Sequence, residues 1–200
     1  MGDKKQEFMD RQKGNKGMNR VVIGVVIFVV LFGLSAFALI NNSTDTAVGN
    51  RWEGGDFNLG SEVDYSDQIV PQAQVDLEVE AGQALIQLNQ VEENKFIYTQ
   101  YQHEGVTLPL MAHIAPSGRL VVSISYCEPC RSQSFHINGS ELVCDSCNTR
   151  WDLASMEGIV GACTDYAPEE IDYQVADGKI AISEDDIRSW TPRSLSGAEG

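Results

Sequence analysis

Cys127 and Cys130, then Cys144 and Cys147, form two Cys-x-x-Cys pairs with thirteen residues between them. Each pair can present two thiolates to one metal centre, so the spacing points to tetrathiolate metal binding. Four thiolates suit Zn²⁺, a single iron or a [2Fe–2S] cluster, and disulfides are the competing use of the same residues. Zinc has no redox chemistry and would only hold the fold. Iron with sulfide would carry one electron at a time.

A hairpin can bring the two pairs together. Ser134-Phe135-His136-Ile137, the Asn138-Gly139 turn and Glu141-Leu142-Val143 read as two arms around a favoured two-residue turn. Further strands are predicted at Val75–Val79, Ala84–Leu88, Lys95–Tyr101, Val106–Met111 and Leu120–Ser125, the last delivering the chain to Cys127. Downstream, Ile171–Val175 and Lys179–Ile182 flank an Asp177-Gly178 turn. The fold class implied is mostly β, a small antiparallel domain with a rubredoxin- or zinc-ribbon-like metal-binding tip.

The remaining candidates weigh less. Cys163 makes the count of five thiols odd. It reads as a small buried apolar residue, with a ligand, a reserve thiol or an intermolecular disulfide partner as the other uses. His136 sits between the pairs and reads as a hairpin residue before a ligand, because four cysteines already fill a tetrahedral site. His103 and His113 have no partner at ligand spacing, Trp151 reads as core, and Glu184-Asp185-Asp186 reads as a solvated acidic turn before a cation site. No hydrolase, nucleotide-binding or metalloprotease signature is present, and neither Cys-x-x-Cys opens a helix after a βαβ pattern. The expectation is a carrier or binding protein without catalytic activity.

Location comes from the N-terminus. Residues 21–40 are twenty consecutive uncharged, mostly apolar residues, enough for a helix to cross about 30 Å of hydrocarbon. Six Lys and Arg precede them and none follows until Arg51. The positive-inside bias then implies a cytoplasmic basic tail (1–20), a transmembrane helix (21–40) and an extracytoplasmic remainder. A cleaved signal peptide ending near Ala36-Phe37-Ala38 is the alternative, though the apolar run outlasts a signal core. Residues 41–74 read as a flexible acidic linker, 75–188 as the cysteine-rich domain and 189–200 as a tail.

Of the 29 acidic residues, 26 lie beyond residue 40, against 8 Lys and Arg there. Such a balance excludes nucleic acid as a partner. It serves solubility, or a docking surface for a basic redox partner or cations.

The pairs Cys127-Glu128-Pro129-Cys130 and Cys144-Asp145-Ser146-Cys147, with Gly158-Ile159-Val160-Gly161-Ala162-Cys163 after them, resemble the membrane iron–sulfur proteins called FtrD-like. The resemblance covers roughly residues 75–187. It departs at Ala162 and Thr164-Asp165, where the family usually has Gly-Gly-Cys-Asn-Pro. It implies a membrane-bound protein with an iron–sulfur centre on Cys127, Cys130, Cys144 and Cys147, in a membrane redox or metal-transport (iron-uptake) system. A fainter resemblance links Leu142–Leu153, with Gly158 and Gly161, to the second cluster-binding box of Rieske domains. It implies a Rieske-like metal-binding tip with Cys130 and Cys147 in place of that family's histidines, and Cys163 on a third loop against the cluster. Thiolates in place of neutral imidazoles imply a potential toward the roughly −400 mV of plant-type ferredoxins.

Overall fold

A computed structural model of the protein describes residues 53–195, all within the unit Asn50–Gly200. The basic tail and the apolar run 21–40 lie outside the described residues. Among the described residues no helix is long and apolar enough to cross a membrane.

The strands are β1 (Ile69–Pro71), β2 (Ala73–Gln74), β3 (Glu78–Glu80), β4 (Gln83–Gln87), β5 (Phe96–His103), β6 (Val106–Ile114) and β7 (Leu120–Ile124). After the first cysteine pair come β8 (Phe135–Asn138), β9 (Glu141–Cys144), β10 (Arg150–Asp152), β11 (Gly158–Val160), β12 (Gln174–Ala176) and β13 (Lys179–Ser183). Among the described residues two short helices complete the set, α1 (Leu88–Asn94) and α2 (Glu184–Ser189). The mostly β expectation holds, and every strand pairing is antiparallel except β2 with β5.

Three sheets result, ordered β1-β8-β9-β10-β11, β12-β13-β4-β3 and β2-β5-β6-β7. β7 of the last sheet is buried at all five positions, which explains why its Leu-Val-Val-Ser-Ile does not alternate apolar and polar residues strictly. Leu110, Ala112 and Ile114 of β6 pair with Ile124, Val122 and Leu120, and these side chains enter one core with Ile86, Ile180 and Ile182. Met111, one residue out of phase, enters a second core with Phe135, Ile137, Leu142, Trp151 and the cysteines. The cysteine region is thus a separate layer seated on the back of the central sheet.

Several expectations need correction. The flexible linker does not hold for residues 53–74. Phe57 and Leu59 hydrogen-bond to Leu120 and Gly118, the Tyr65 hydroxyl donates to the Ile114 carbonyl at 2.7 Å, and β1 pairs with β8. Sparse apolar residues hid this, because their partners lie about 50 to 70 residues away in the chain. Trp52 and the rest of the linker lie outside the described residues. The hairpin turn is Gly139-Ser140, one residue later than expected, since Asn138 still pairs with Glu141. Gly139 at φ 59° supplies the left-handed first turn position.

Between the strands expected at 84–88 and 95–101, Leu88 and Val91 bury one helical face, and α1 ends at Lys95, whose φ is 64°. The acidic run at 184–186 is the first turn of α2, capped by Ser183. Its Glu184 is buried, accepting from the Tyr101 hydroxyl, 2.7 Å from His103 Nδ1 and 3.3 Å from Arg188 Nη2. The tail expected over 189–200 is docked in its described part, with Trp190 Nε1 donating to Glu169 Oε2 at 3.0 Å.

Candidate metal centre

The two cysteine pairs lie on two loops of one design. In the first, the Cys127 N–H donates to the Ser132 carbonyl and the Arg131 N–H donates back to the Cys127 carbonyl, at 2.9 and 2.6 Å. In the second, Cys144 donates to Thr149 and Asn148 donates back to Cys144, at 3.0 and 2.9 Å. The residue after each second cysteine is left-handed, Arg131 at φ 60° and Asn148 at φ 56°. The shared local pattern Cys-x-x-Cys-x-Ser/Thr, visible in Cys127–Ser132 and Cys144–Thr149, was the signal that could have revealed this repeat. The β8–β9 hairpin brings the loops together, because Phe135 and Cys144 face each other across it.

A third loop, from β11 through Gly161 to Cys163, closes on the same point. The Cys163 N–H donates to Thr149 Oγ1 at 3.2 Å, and that oxygen lies 3.3 Å from Cys147 Sγ. Thr149 is fully buried. Gly161 has φ 126°, and a Cβ there would come within 2.4 Å of Thr149 Oγ1, so only glycine lets the loop approach. Trp151 Nε1 donates to the Thr164 carbonyl at 3.1 Å and pins the loop from the other side.

The outcome is a cluster of five thiols. The sulfurs of Cys127, Cys130, Cys147 and Cys163 all lie within 4.8 Å of one another. Cys144 Sγ lies 3.6 Å from Cys130 Sγ. Cys163, read from sequence first as a small core residue, is therefore part of the cluster, brought there by β10–β11 pairing that residue spacing does not reveal. His136 is not. It lies one position out of phase with the inward Phe135 and Ile137, and its Nδ1 is 2.6 Å from Asp145 Oδ1. Its flank lines an open groove of about 690 Å³ with Gln72, Tyr98 and Gln133. Trp151 is core, as expected, and tilts over Phe135 beside the sulfurs.

Mutual contact and burial also shape the protonation of the thiols. Contact with Cys127 brings the Cys144 thiol down to about 4, helped by the Cys147 and Ser146 N–H groups and the Ser132 hydroxyl and opposed by burial. The same contact and burial push Cys127 strongly up. Burial pushes Cys130 up to about 11 and also raises Cys163. One thiolate can thus be held among protonated neighbours, and a metal would replace their protons. His103 is bound to Glu184, and His113 is buried with Nε2 3.2 Å from the Leu153 carbonyl, so neither joins the cluster.

The donor set, four or five sulfurs and no oxygen or nitrogen, fits a tetrathiolate centre. Sulfurs about 2.3 Å from a single tetrahedral ion stand about 3.8 Å apart, compatible with this packing.

One family match agrees with sulfur-based metal binding. The family model "Membrane iron-sulfur containing protein FtrD-like" matches residues 91–193. A solved structure, the ferredoxin of Sphingomonas yanoikuyae B1, is similar over 43% of this chain and 83% of its own, at 15% identity and a TM-score of 0.35. No curated protein matches. The match spans more than half of the 200 residues, and the chain belongs to the FtrD-like family of membrane iron–sulfur containing proteins.

Proposed function

We propose that this protein is a membrane-anchored, extracytoplasmic one-electron carrier whose thiol cluster holds an iron–sulfur centre, with [2Fe–2S] as the expected type. The observation that carries the reading is the convergence of sulfurs from three loops to within 4.8 Å. Bound there, the centre would supply one-electron chemistry. The chain's part is to fix thiolates on backbone-locked loops and to shield them with Trp151 and Phe135. Cys130 and Cys147, half-buried, form the outward side through which a partner would exchange electrons. That partner is a membrane redox or metal-transport protein, with iron uptake as the setting the family suggests. The apolar run 21–40 supplies the anchor and the orientation.

A second reading has its own support. Four sulfurs mutually within 4.8 Å match one tetrahedral ion, so zinc held for folding alone is the alternative.

Anaerobic purification of the full chain in detergent, with iron, zinc and acid-labile sulfide analysis and EPR after reduction, separates the two. Stoichiometric iron and sulfide with a reduced-state signal is the expected result. One zinc per chain without sulfide would overturn electron transfer.

A further inference from the structure

We infer that Cys144 and Cys163 are alternative fourth ligands, so that the centre exchanges one thiolate while Cys127, Cys130 and Cys147 stay bound. The inference rests on the metal-binding reading and goes beyond it. A tetrahedral ion, or a two-iron cluster, offers four terminal positions to protein ligands. Five thiols surround them here. The pair spacing selects Cys127, Cys130, Cys144 and Cys147, whereas the four sulfurs that all lie within 4.8 Å of one another are those of Cys127, Cys130, Cys147 and Cys163. Cys144 is no bystander either, at 3.6 Å from Cys130 Sγ and in contact with Cys127.

The third loop carries features a merely buried cysteine does not require. Thr149 Oγ1 bridges from the Cys163 N–H to the Cys147 sulfur, at 3.2 and 3.3 Å. Gly161 gives up a side chain to lie against Thr149. The Tyr166 N–H closes a turn on the Cys163 carbonyl at 3.0 Å. Thr149 thus serves both thiols, its side chain accepting from the Cys163 N–H and its carbonyl from the Cys144 N–H. Two thiols from different loops therefore flank one coordination position. When either binds, the other stays within reach as an incoming nucleophile for the metal. No oxidant or proton source beyond water is needed, because the entering thiol releases a proton and the leaving thiolate takes one up.

The test uses Co²⁺ as the probe on the anaerobic full chain in detergent, comparing wild type, C144S, C163S and C144S/C163S. Both single variants should keep tetrahedral cobalt bands and sulfur-to-cobalt charge-transfer intensity near wild type. The double variant should lose about a quarter of that intensity as three thiolates replace four, and bind at least about tenfold more weakly. C144S or C163S as weak as the double variant would overturn the exchange. Wild type taking up no Co²⁺ would overturn the metal-binding reading along with it, a different and recognisable result. Thiol alkylation of Co²⁺-loaded wild type covers the case in which a variant fails to fold. One thiol per chain should react, divided between Cys144 and Cys163 in peptide maps. Modification confined to Cys163 would sink the proposal.

Discussion

Arg193 holds Glu128 in a two-pronged ion pair, Nε to Oε1 at 2.7 Å and Nη2 to Oε2 at 2.9 Å, and Glu128 lies between the cysteines of the first pair. The Glu128 side chain is 2% exposed and that of Arg193 13%. Arg193 also donates to the Ala167 carbonyl and lies over the Tyr166 ring. The last described stretch of chain is thereby tied to the loop that presents Cys127 and Cys130. Removing one partner of such a buried pair strands the other charge, whereas removing both costs much less.

Arg193→Ala should therefore lower stability by about 3 kcal/mol, and Arg193→Met with Glu128→Leu by clearly less. Urea unfolding of the metal-free chain measures both. Equal losses in the single and double variants would show that the pair itself is not the source.

Gly161→Ala should cost about 1–3 kcal/mol, since it combines a left-handed backbone with a clash against Thr149. The displaced loop should carry Cys163 away from Cys147. Thermal unfolding reads the first effect. Faster alkylation of Cys163 in the metal-free protein reads the second.

Thr149→Val keeps the shape but leaves the Cys163 N–H without its acceptor, at a cost of about 1–3 kcal/mol. If Cys147 binds iron as a thiolate, as proposed, the Thr149 hydroxyl 3.3 Å away would donate to its sulfur, and hydrogen bonds to sulfur raise a cluster's potential. The variant's midpoint potential should fall. A redox titration that finds no change would remove Thr149 from the set of tuning residues.

His113 is buried, and desolvation lowers its pKa to about 4 from an ordinary 6.5. The unfolded chain takes up this proton more readily, so His113 favours the native state fully above about pH 6.5. That contribution is lost as pH falls from 6.5 toward 4, by about 3 kcal/mol in all. His113→Gln should flatten this part of the pH dependence, measured as the difference between wild-type and variant unfolding free energies from pH 7.5 to 4.5. Parallel curves would contradict the buried neutral imidazole.

Arg131 occupies the left-handed position that Asn148 fills in the sister loop. Arg131→Asn, at an exposed site, should stabilise the metal-free protein by about 0.5–1 kcal/mol. The shift in urea midpoint checks it.

Local information in the chain was enough for several features. Period-two and continuous apolar runs located β5, β6, β7 and the β8–β9 hairpin, because a strand's neighbours on either face are written at fixed spacing. The two Cys-x-x-Cys pairs, four residues each, made their own loops and named four thiols. Only the tertiary structure decided what depends on distant chain segments meeting. Residues 53–74 proved to be part of the fold because Tyr65 and β1 find partners at Ile114 and β8. The turn at Gly139-Ser140 was set by strand register, which side-chain packing of Ile137 and Leu142 determines. Cys163 joined the sulfurs through Thr149 and Gly161, while His136, nearer in sequence, was turned away by strand alternation. Residue type and spacing announced sulfur chemistry. Which sulfurs share the centre was decided by how three loops close on one another.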